Sequence, residues 1–407
     1  MLTLITIYSR STIQARIRQR QRKDLIYCDL LNLVIFTSHT MKILVIRFYH
    51  LGDTILTSVL CNSLKQSFTD AQVDFLTYAP FGELFEHNSS IDTLIAISQD
   101  QRRNPLRYLQ TAWKIASNKY DIIIDAQASS KSGIISLFSP NAKYRIGRYR
   151  KKTRGLALTH KVPLPAVRGN KVQERLDLLQ PLTQAGMVID KRADLEITVT
   201  AEEQQSMIKQ LLRNQVDLQR PIIVFCVSAK YTEKKWNLGE MTKLVEHCRD
   251  THNAQILLFG ALPHEREDVR LVYQTLNHKH DVFWQIKTNC LRDVPALFSL
   301  CNAYIGNEGG PRHIAQAVGT ATASIFSPHA DKAEWLPSTS KFHQAIEWRD
   351  VASNLEFLGE KFEYGDDTYL KLYNNIKVGD VTRMVDEVIS LALSSKSPSA
   401  ITKQSID

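Results

Sequence analysis

The chain has 407 residues, 43% hydrophobic and 23% charged, which suits a globular protein with two separate cores and leaves no apolar run near the roughly 20 residues that span a bilayer. A formal net charge of +9 and a pI of about 9.1 draw the protein to polyanions without choosing among nucleic acid, an anionic membrane face and phosphorylated substrates. Six scattered cysteines with no C-x-x-C pair argue against a structural zinc site and fit a reducing cytosol.

The first forty residues join a basic stretch to a short apolar one, without a small-residue cleavage site. They read as an upstream extension, since Met41 opens a well-formed strand; a basic anchor for anionic lipid is the other reading. The apolar run "KILVIRF" (42–48) predicts a buried strand, broken at Gly52-Asp53 before a helical pattern resumes. A carboxylate is unexpected at such a corner, because backbone N–H groups and the helix dipole there attract anions. Either Asp53 caps its helix or the corner does chemistry on something other than a phosphate.

Further strands are predicted at 72–78, 91–97 and 120–127, with "NPLRYLQTAWKIASNK" (104–119) helical among them. "LEITVTAEEQQSMIKQLLRNQVDLQRP" (195–221) reads as the crossover to a second unit, whose strands are predicted at 221–229, 254–261, 280–286, 303–307 and 321–328. Alternation of this kind predicts α/β architecture: two doubly wound parallel-sheet domains, 41–200 and 201–394, with ligands at the carboxyl ends of the strands. "GDVTRMVDEVISLAL" (379–393) closes the second domain as an amphipathic helix with Asp380 as its N-cap, and 395–407 reads as a disordered tail.

There is no G-x-G-x-x-G, no P-loop, no G-x-S-x-G elbow and no D-x-D. A bound diphosphate is therefore expected to be neutralised by side chains and helix ends rather than by a metal. "AYIGNEGGPRHIAQAVGTATASIFSP" (303–328) is a strand, a Gly309-Gly310 corner and a helix containing His313; a diphosphate fits there, or the corner is structural with a partly buried histidine. "VSAKYTEKKW" (227–236) places Ser228, Lys230, Lys234 and Lys235 after a strand, as a clamp for a leaving phosphate or as solvated charge, with Trp236 a packing residue. Glu265 either takes a ribose hydroxyl or sits in a first helical turn. In the first domain Lys131, Lys143, Arg145, Arg148, Arg150, Lys151, Lys152 and Arg154 form a solvated face or a grip for an anionic acceptor, with Lys131, Arg145 and Arg148 as the acceptor-binding candidates.

Together "KILVIRFYHLGDTILTSVL", "DIIIDAQASSKSG", "EKKW" and "GNEGGPRHIAQAVGTATASIFSP", in order over about residues 41–390, resemble the bacterial ADP-heptose:lipopolysaccharide heptosyltransferases, the family 9 glycosyltransferases. The resemblance implies a GT-B architecture, with the acceptor in the first Rossmann-like domain and the nucleotide-sugar donor in the second. It implies metal-independent, inverting heptose transfer from ADP-heptose to a lipid A–Kdo type acceptor, at Kdo or a first heptose. It further implies that no cofactor and no nucleic acid take part, and that such an enzyme is cytoplasmic and peripheral on the anionic inner face of the inner membrane. On the same resemblance Asp53 is the general base, Arg47 supports it electrostatically, and Lys234 clamps the departing diphosphate. Ser228, Glu308, Gly309, Gly310, His313 and, less closely matched, Glu265 surround the donor. Glu308 and Gly309 depart from the family's D-T-G-x-x-H segment, a longer carboxylate replacing aspartate and a glycine replacing a hydroxyl. The alternatives are another nucleotide-sugar transferase or epimerase on this fold, or a basic nucleic-acid-binding protein. Against the last, the arginine-rich run has few interleaved aromatics.

Overall fold

The computed structural model describes residues 40–148, 156–165, 169–337, 340–351 and 363–395. The expectations attached to residues 1–39, to Arg150, Lys151, Lys152 and Arg154, and to the tail from 396 lie outside the described residues.

The apolar runs of the first half form a sheet of six strands: β1 (Lys42–Ile46), β2 (Gln72–Tyr78), β3 (Thr93–Ile97), β4 (Ile122–Asp125), β5 (Tyr144–Arg148) and β6 (His160–Val162). Their order is β3-β2-β1-β4-β5-β6 and every neighbouring pair is parallel. Parallel sheets are covered on both faces, which is why β1 and β4 read as continuous apolar runs rather than alternating ones. β5 was not legible as a strand, because two of its five residues are arginines. Both are accommodated by backbone carbonyls: Arg145 donates to Ser139, Pro140 and Ala157, Arg148 to Pro163 and Glu174.

Four helices of this lobe matter to the site: α1 (Leu51–Ser67), α2 (Pro105–Ala116), α3 (Ser130–Leu137) and α4 (Lys171–Leu176). Residues 54–64 of α1 are buried on every side, hydroxyls included. Three of those hydroxyls are satisfied by bonding back along the helix, Thr54 donating to the His50 carbonyl at 2.8 Å, Thr57 to that of Asp53 at 2.7 Å and Ser58 to that of Ile55 at 2.7 Å, while the Ser63 hydroxyl accepts from the Arg192 N–H at 2.8 Å.

The second sheet repeats the winding. β7 (Ile222–Cys226), β8 (Gln255–Leu258), β9 (Val282–Phe283), β10 (Ala303–Asn307), β11 (Ala321–Ile325) and β12 (His343–Ile346) are parallel in the order β12-β11-β10-β7-β8-β9. Around it lie α5 (Ala201–Arg213), α6 (Leu238–His252), α7 (Pro263–Thr275), α8 (Gly310–Ala317), α9 (Lys332–Trp335), α10 (Asp367–Asn375) and α11 (Val378–Ser395). Val385 and Ile389 of α11 complete the core with Phe225, Ile305 and Ala323. Trp236 belongs to that core, its indole N–H donating to the Ile376 carbonyl at 3.0 Å. Asp380 is not the N-cap of α11 but lies in its first turn, accepting from the Lys377 N–H at 2.8 Å, the third-position half of a capping box. At Gly306 a Cβ would lie 2.5 Å from the Cys226 carbonyl oxygen, so only glycine lets β10 run this close to β7.

In each sheet the winding reverses beside the first strand, between β1 and β4 and between β7 and β10. A doubly wound sheet opens a crevice for ligands at that point. Arg292 ties the two lobes: its guanidinium donates to the Leu84 carbonyl of the first at 3.1 Å and to Glu203 of α5 at 2.6 Å.

Candidate functional site

The crevice between β1 and β4 opens into a cavity of about 350 Å³, a volume that suits a small ligand. Asp53 stands on its wall in the first turn of α1. No side chain caps that helix, and both carboxylate oxygens are held by arginines instead. Arg47 reaches one oxygen at 2.8 Å and Arg175 of α4 the other at 2.7 Å. Arg47 also donates to the Ala126 carbonyl at 2.8 Å. Burial lowers the pKa of its guanidinium, and the charge of Asp53 works against that loss.

Asp125 ends β4 in the same wall, accepting from the Gln127 and Ala128 N–H groups at 3.0 and 2.9 Å, and burial holds its carboxyl above the ordinary carboxylate range. Arg148 and Lys171 complete a cationic rim, and the second lobe contributes Trp335. Lys171 joins the lobes there, paired with Glu174 and with Glu334 of α9, each at 3.0 Å.

The crevice between β7 and β10 carries a second cluster. Lys234 donates to Glu308 at 2.8 Å, and Ser327 donates to the same carboxylate oxygen at 2.8 Å. Burial disfavours the Lys234 charge, but Glu308 outweighs it and the ammonium titrates above its ordinary value. Ser228 and Lys235 both bond Asp268, at 2.6 and 2.9 Å. The lysine loop is fastened from α10, where the Tyr373 hydroxyl donates to the Lys234 carbonyl at 3.0 Å. Gly309 precedes α8 with φ +150° and ψ −169°, a region essentially reserved for glycine, so a residue with a side chain would be strained here.

The two corners meet. A Cβ on Gly52 would lie 2.8 Å from the His313 ring, and one on Gly310 would lie 2.7 Å from Leu51, so α1 and α8 seat against each other through their glycines. His313 is buried, and its Nδ1 accepts from Arg312 at 3.0 Å. Burial first and that cation second push its pKa well down and keep the ring neutral. The Arg312 guanidinium, lowered to about 10 by burial, also donates to the Trp335 carbonyl at 2.9 Å and fixes the tryptophan that lines the cavity.

Residues 109–348, more than half of the chain, match glycosyltransferase family 9 (heptosyltransferase). The chain belongs to that family. It is 24% identical over 307 residues to lipopolysaccharide heptosyltransferase 3 of Escherichia coli, covering 73% of this chain and 85% of the relative. Among solved structures it resembles a family 9 glycosyltransferase from Veillonella parvula, with TM-score 0.73 and 18% identity over 86% of this chain and 97% of the other. It also resembles the ADP-heptose lipopolysaccharide heptosyltransferase II of Escherichia coli, with TM-score 0.66 and 19% identity over 86% and 99%. The architecture is thus GT-B, two Rossmann-like domains facing across a cleft.

In this glycosyltransferase the residues singled out from sequence divide by position. Asp53, Arg47 and Arg148 line the cavity, while Ser228, Lys234, Glu308, Gly309 and Gly310 gather at the second crevice. Glu265 spends one oxygen on the Ala261 and Leu262 N–H groups, both at 2.9 Å, and so closes the first turn of α7. His313 is buried where α1 and α8 meet. Lys131 and Arg145 are not among the residues that line the cavity. The Lys131 ammonium bonds the Arg102 carbonyl and lies over the Tyr108 ring, and Arg145 sits at the amino end of β5, bound to carbonyls.

Arg175, Lys171, Gln127 and Trp335 were missed. For Arg175 a signal existed: with Leu178, Leu179 and Leu182 it falls at i, i+3, i+4 and i+7, an arginine on an otherwise apolar buried stripe.

Proposed function

We propose that this transferase moves a heptose from ADP-heptose to the inner core of lipopolysaccharide, at Kdo or an existing heptose, by a single inverting displacement without a metal. Donor binding falls to the lobe 201–394 and acceptor binding to the lobe 41–200. Asp53 takes the proton of the acceptor hydroxyl as that oxygen attacks the anomeric carbon, and the bond to the ADP oxygen breaks on the opposite face. Lys234, Ser327 and the start of α8 receive the charge that grows on the leaving diphosphate. The carrying observation is the contact of the two helix starts: Gly52, beside Asp53, packs on His313 and Gly310, next to the second crevice.

The rim of Arg47, Arg148, Lys171 and Arg175 suits an acceptor rich in carboxylate and phosphate. Metal independence is supported by how the cavity's acids are already used: Asp53 by two guanidiniums, Glu174 by Lys171 and Asp125 by the Gln127 and Ala128 N–H groups.

The test is ADP release from ADP-heptose with a panel of truncated core acceptors and a chelator present. One acceptor is expected to support turnover at an unchanged rate when the chelator is added. Release that needs a divalent ion, or nucleotide loss without any acceptor, contradicts the reading.

The same reading places the enzyme in the cytoplasm, peripheral on the inner membrane. Among the described residues no helix is long and apolar enough to cross a membrane. Leu106, Leu109 and Trp113 form a stripe at i, i+3 and i+7 along α2, and Leu106 and Trp113 are 72% and 67% exposed. Arg102, Arg103, Arg107 and Lys114 flank it, the composition of a surface that lies on anionic lipid. Trp113→Glu is expected to weaken co-sedimentation with vesicles containing anionic phospholipid several-fold. Equal sedimentation of both proteins removes α2 from the contact.

A further inference from the structure

The second lobe carries a cluster that sugar transfer does not use. His247 and His252 lie near the carboxyl end of α6, and Asp386 faces them from α11. Asp386 Oδ1 is 3.0 Å from His247 Nε2 and 2.6 Å from His252 Nε2, and the two rings stand nearly perpendicular with centroids 6.5 Å apart. One ligand atom from each residue lies within 4.8 Å of the other two. None of the three lines the inter-lobe cavity.

We propose that His247, His252 and Asp386 form a binding site for a divalent transition metal, Zn²⁺ foremost, that fastens α11 to α6. Two imidazole nitrogens and one carboxylate oxygen are a donor set that Zn²⁺ accepts, and its bonds of about 2.0–2.2 Å separate neighbouring ligand atoms by roughly 3.3 Å. The two nitrogen–oxygen separations, 3.0 Å at His247 and 2.6 Å at His252, open to that distance by about 0.3 and about 0.7 Å.

In the metal-free arrangement both Nε2 atoms are hydrogen-bonded to the carboxylate. Metal binding turns their lone pairs inward and moves each ring proton to Nδ1. At His247 the acceptor for that proton is in place: the Thr251 hydroxyl is 3.4 Å from Nδ1. Asp386 also borders an open groove with Lys341, Gln344 and Arg383, which gives an ion access from solvent and leaves the fourth position to water. The mechanical consequence follows from the fold, because α11 closes the core of the second lobe and the ion would cross-link it to the helix beneath.

The test uses the full chain, free of any affinity tag and stripped with chelator, titrated with ZnCl₂ by calorimetry and assayed for bound zinc after dialysis. The wild type is expected to retain one equivalent and to unfold at a higher temperature with zinc than without. His247→Ala/His252→Ala is expected to lose the equivalent, with affinity down more than about tenfold and an unfolding temperature indifferent to zinc. Should that variant not fold, His247→Gln, which keeps a hydrogen bond to Asp386, is expected to lose the equivalent too. Cys290→Ser, removing an exposed thiol, is expected to keep it. Stoichiometric zinc on the histidine variant, or none on the wild type, overturns the proposal and leaves a histidine–aspartate hydrogen-bond clamp.

Discussion

Asp53→Asn is expected to lower turnover about 10²- to 10⁴-fold while ADP-heptose still binds. The change keeps the size and planarity of the side chain but cannot take a proton. Donor binding is expected to survive because the groups proposed to receive the diphosphate, Lys234 and Ser327, belong to the other lobe. The substitution has a second effect that must be separated from the first. It leaves Arg47 and Arg175 side by side without the carboxylate they share at 2.8 and 2.7 Å, which costs about 1–3 kcal/mol of stability. Steady-state ADP release at a temperature well below the unfolding midpoint isolates the catalytic loss. Arg175→Met serves as the control: it disturbs the same cluster and should cost far less rate than loss of the base. Activity of Asp53→Asn within a few-fold of wild type would reduce the aspartate to a counter-charge.

Lys234→Ala is expected to lower turnover about 10²-fold and to weaken ADP binding as well. The ammonium is the charge proposed to meet the diphosphate, and without it the Glu308 carboxylate, held then by Ser327, would face the phosphates unneutralised. Adding Glu308→Gln should therefore restore part of the donor affinity, a coupling that a double-mutant cycle measures. Because the pKa of Lys234 is raised in the folded protein, its charge and the stability of the pair are fully present at neutral pH. They are lost only in strongly alkaline solution, as pH rises past the ordinary lysine range of about 10.4. A wild-type affinity for ADP-heptose that is flat from pH 6 to 9 checks this, because a diphosphate esterified at both ends carries no group that titrates there. ADP binding unchanged in Lys234→Ala would remove the lysine from the donor site.

The parts of the fold that could be read from sequence are those with local signals. β1 and β10 are mostly apolar, and each feeds a glycine corner and a helix. β5, β6 and β12 lack that signal: arginines interrupt the first, the second is three residues long, and the third begins with two polar residues. Asp53 was legible as an anomaly, a carboxylate at a corner suited to anions. Its partner Arg175 lies 122 residues away, and only the tertiary fold brings them together. Counting cations in the basic run could not separate Arg148, which lines the cavity, from Arg145, which does not, although both guanidiniums bond backbone carbonyls. The glycines were legible as corners, but their reasons differ: Gly309 for its φ, Gly52 and Gly310 because the two lobes touch there.

The division of labour between the lobes, base in one and leaving-group site in the other, is tested most directly by a crystal structure with an unreactive ADP-heptose analogue and the acceptor bound together. The account predicts an acceptor hydroxyl within about 2.6–3.2 Å of an Asp53 carboxylate oxygen, with the diphosphate against Lys234 and the start of α8. Nucleotide in the cavity beside Asp53, or an acceptor hydroxyl out of its reach while both arginines still hold the carboxylate, would contradict it.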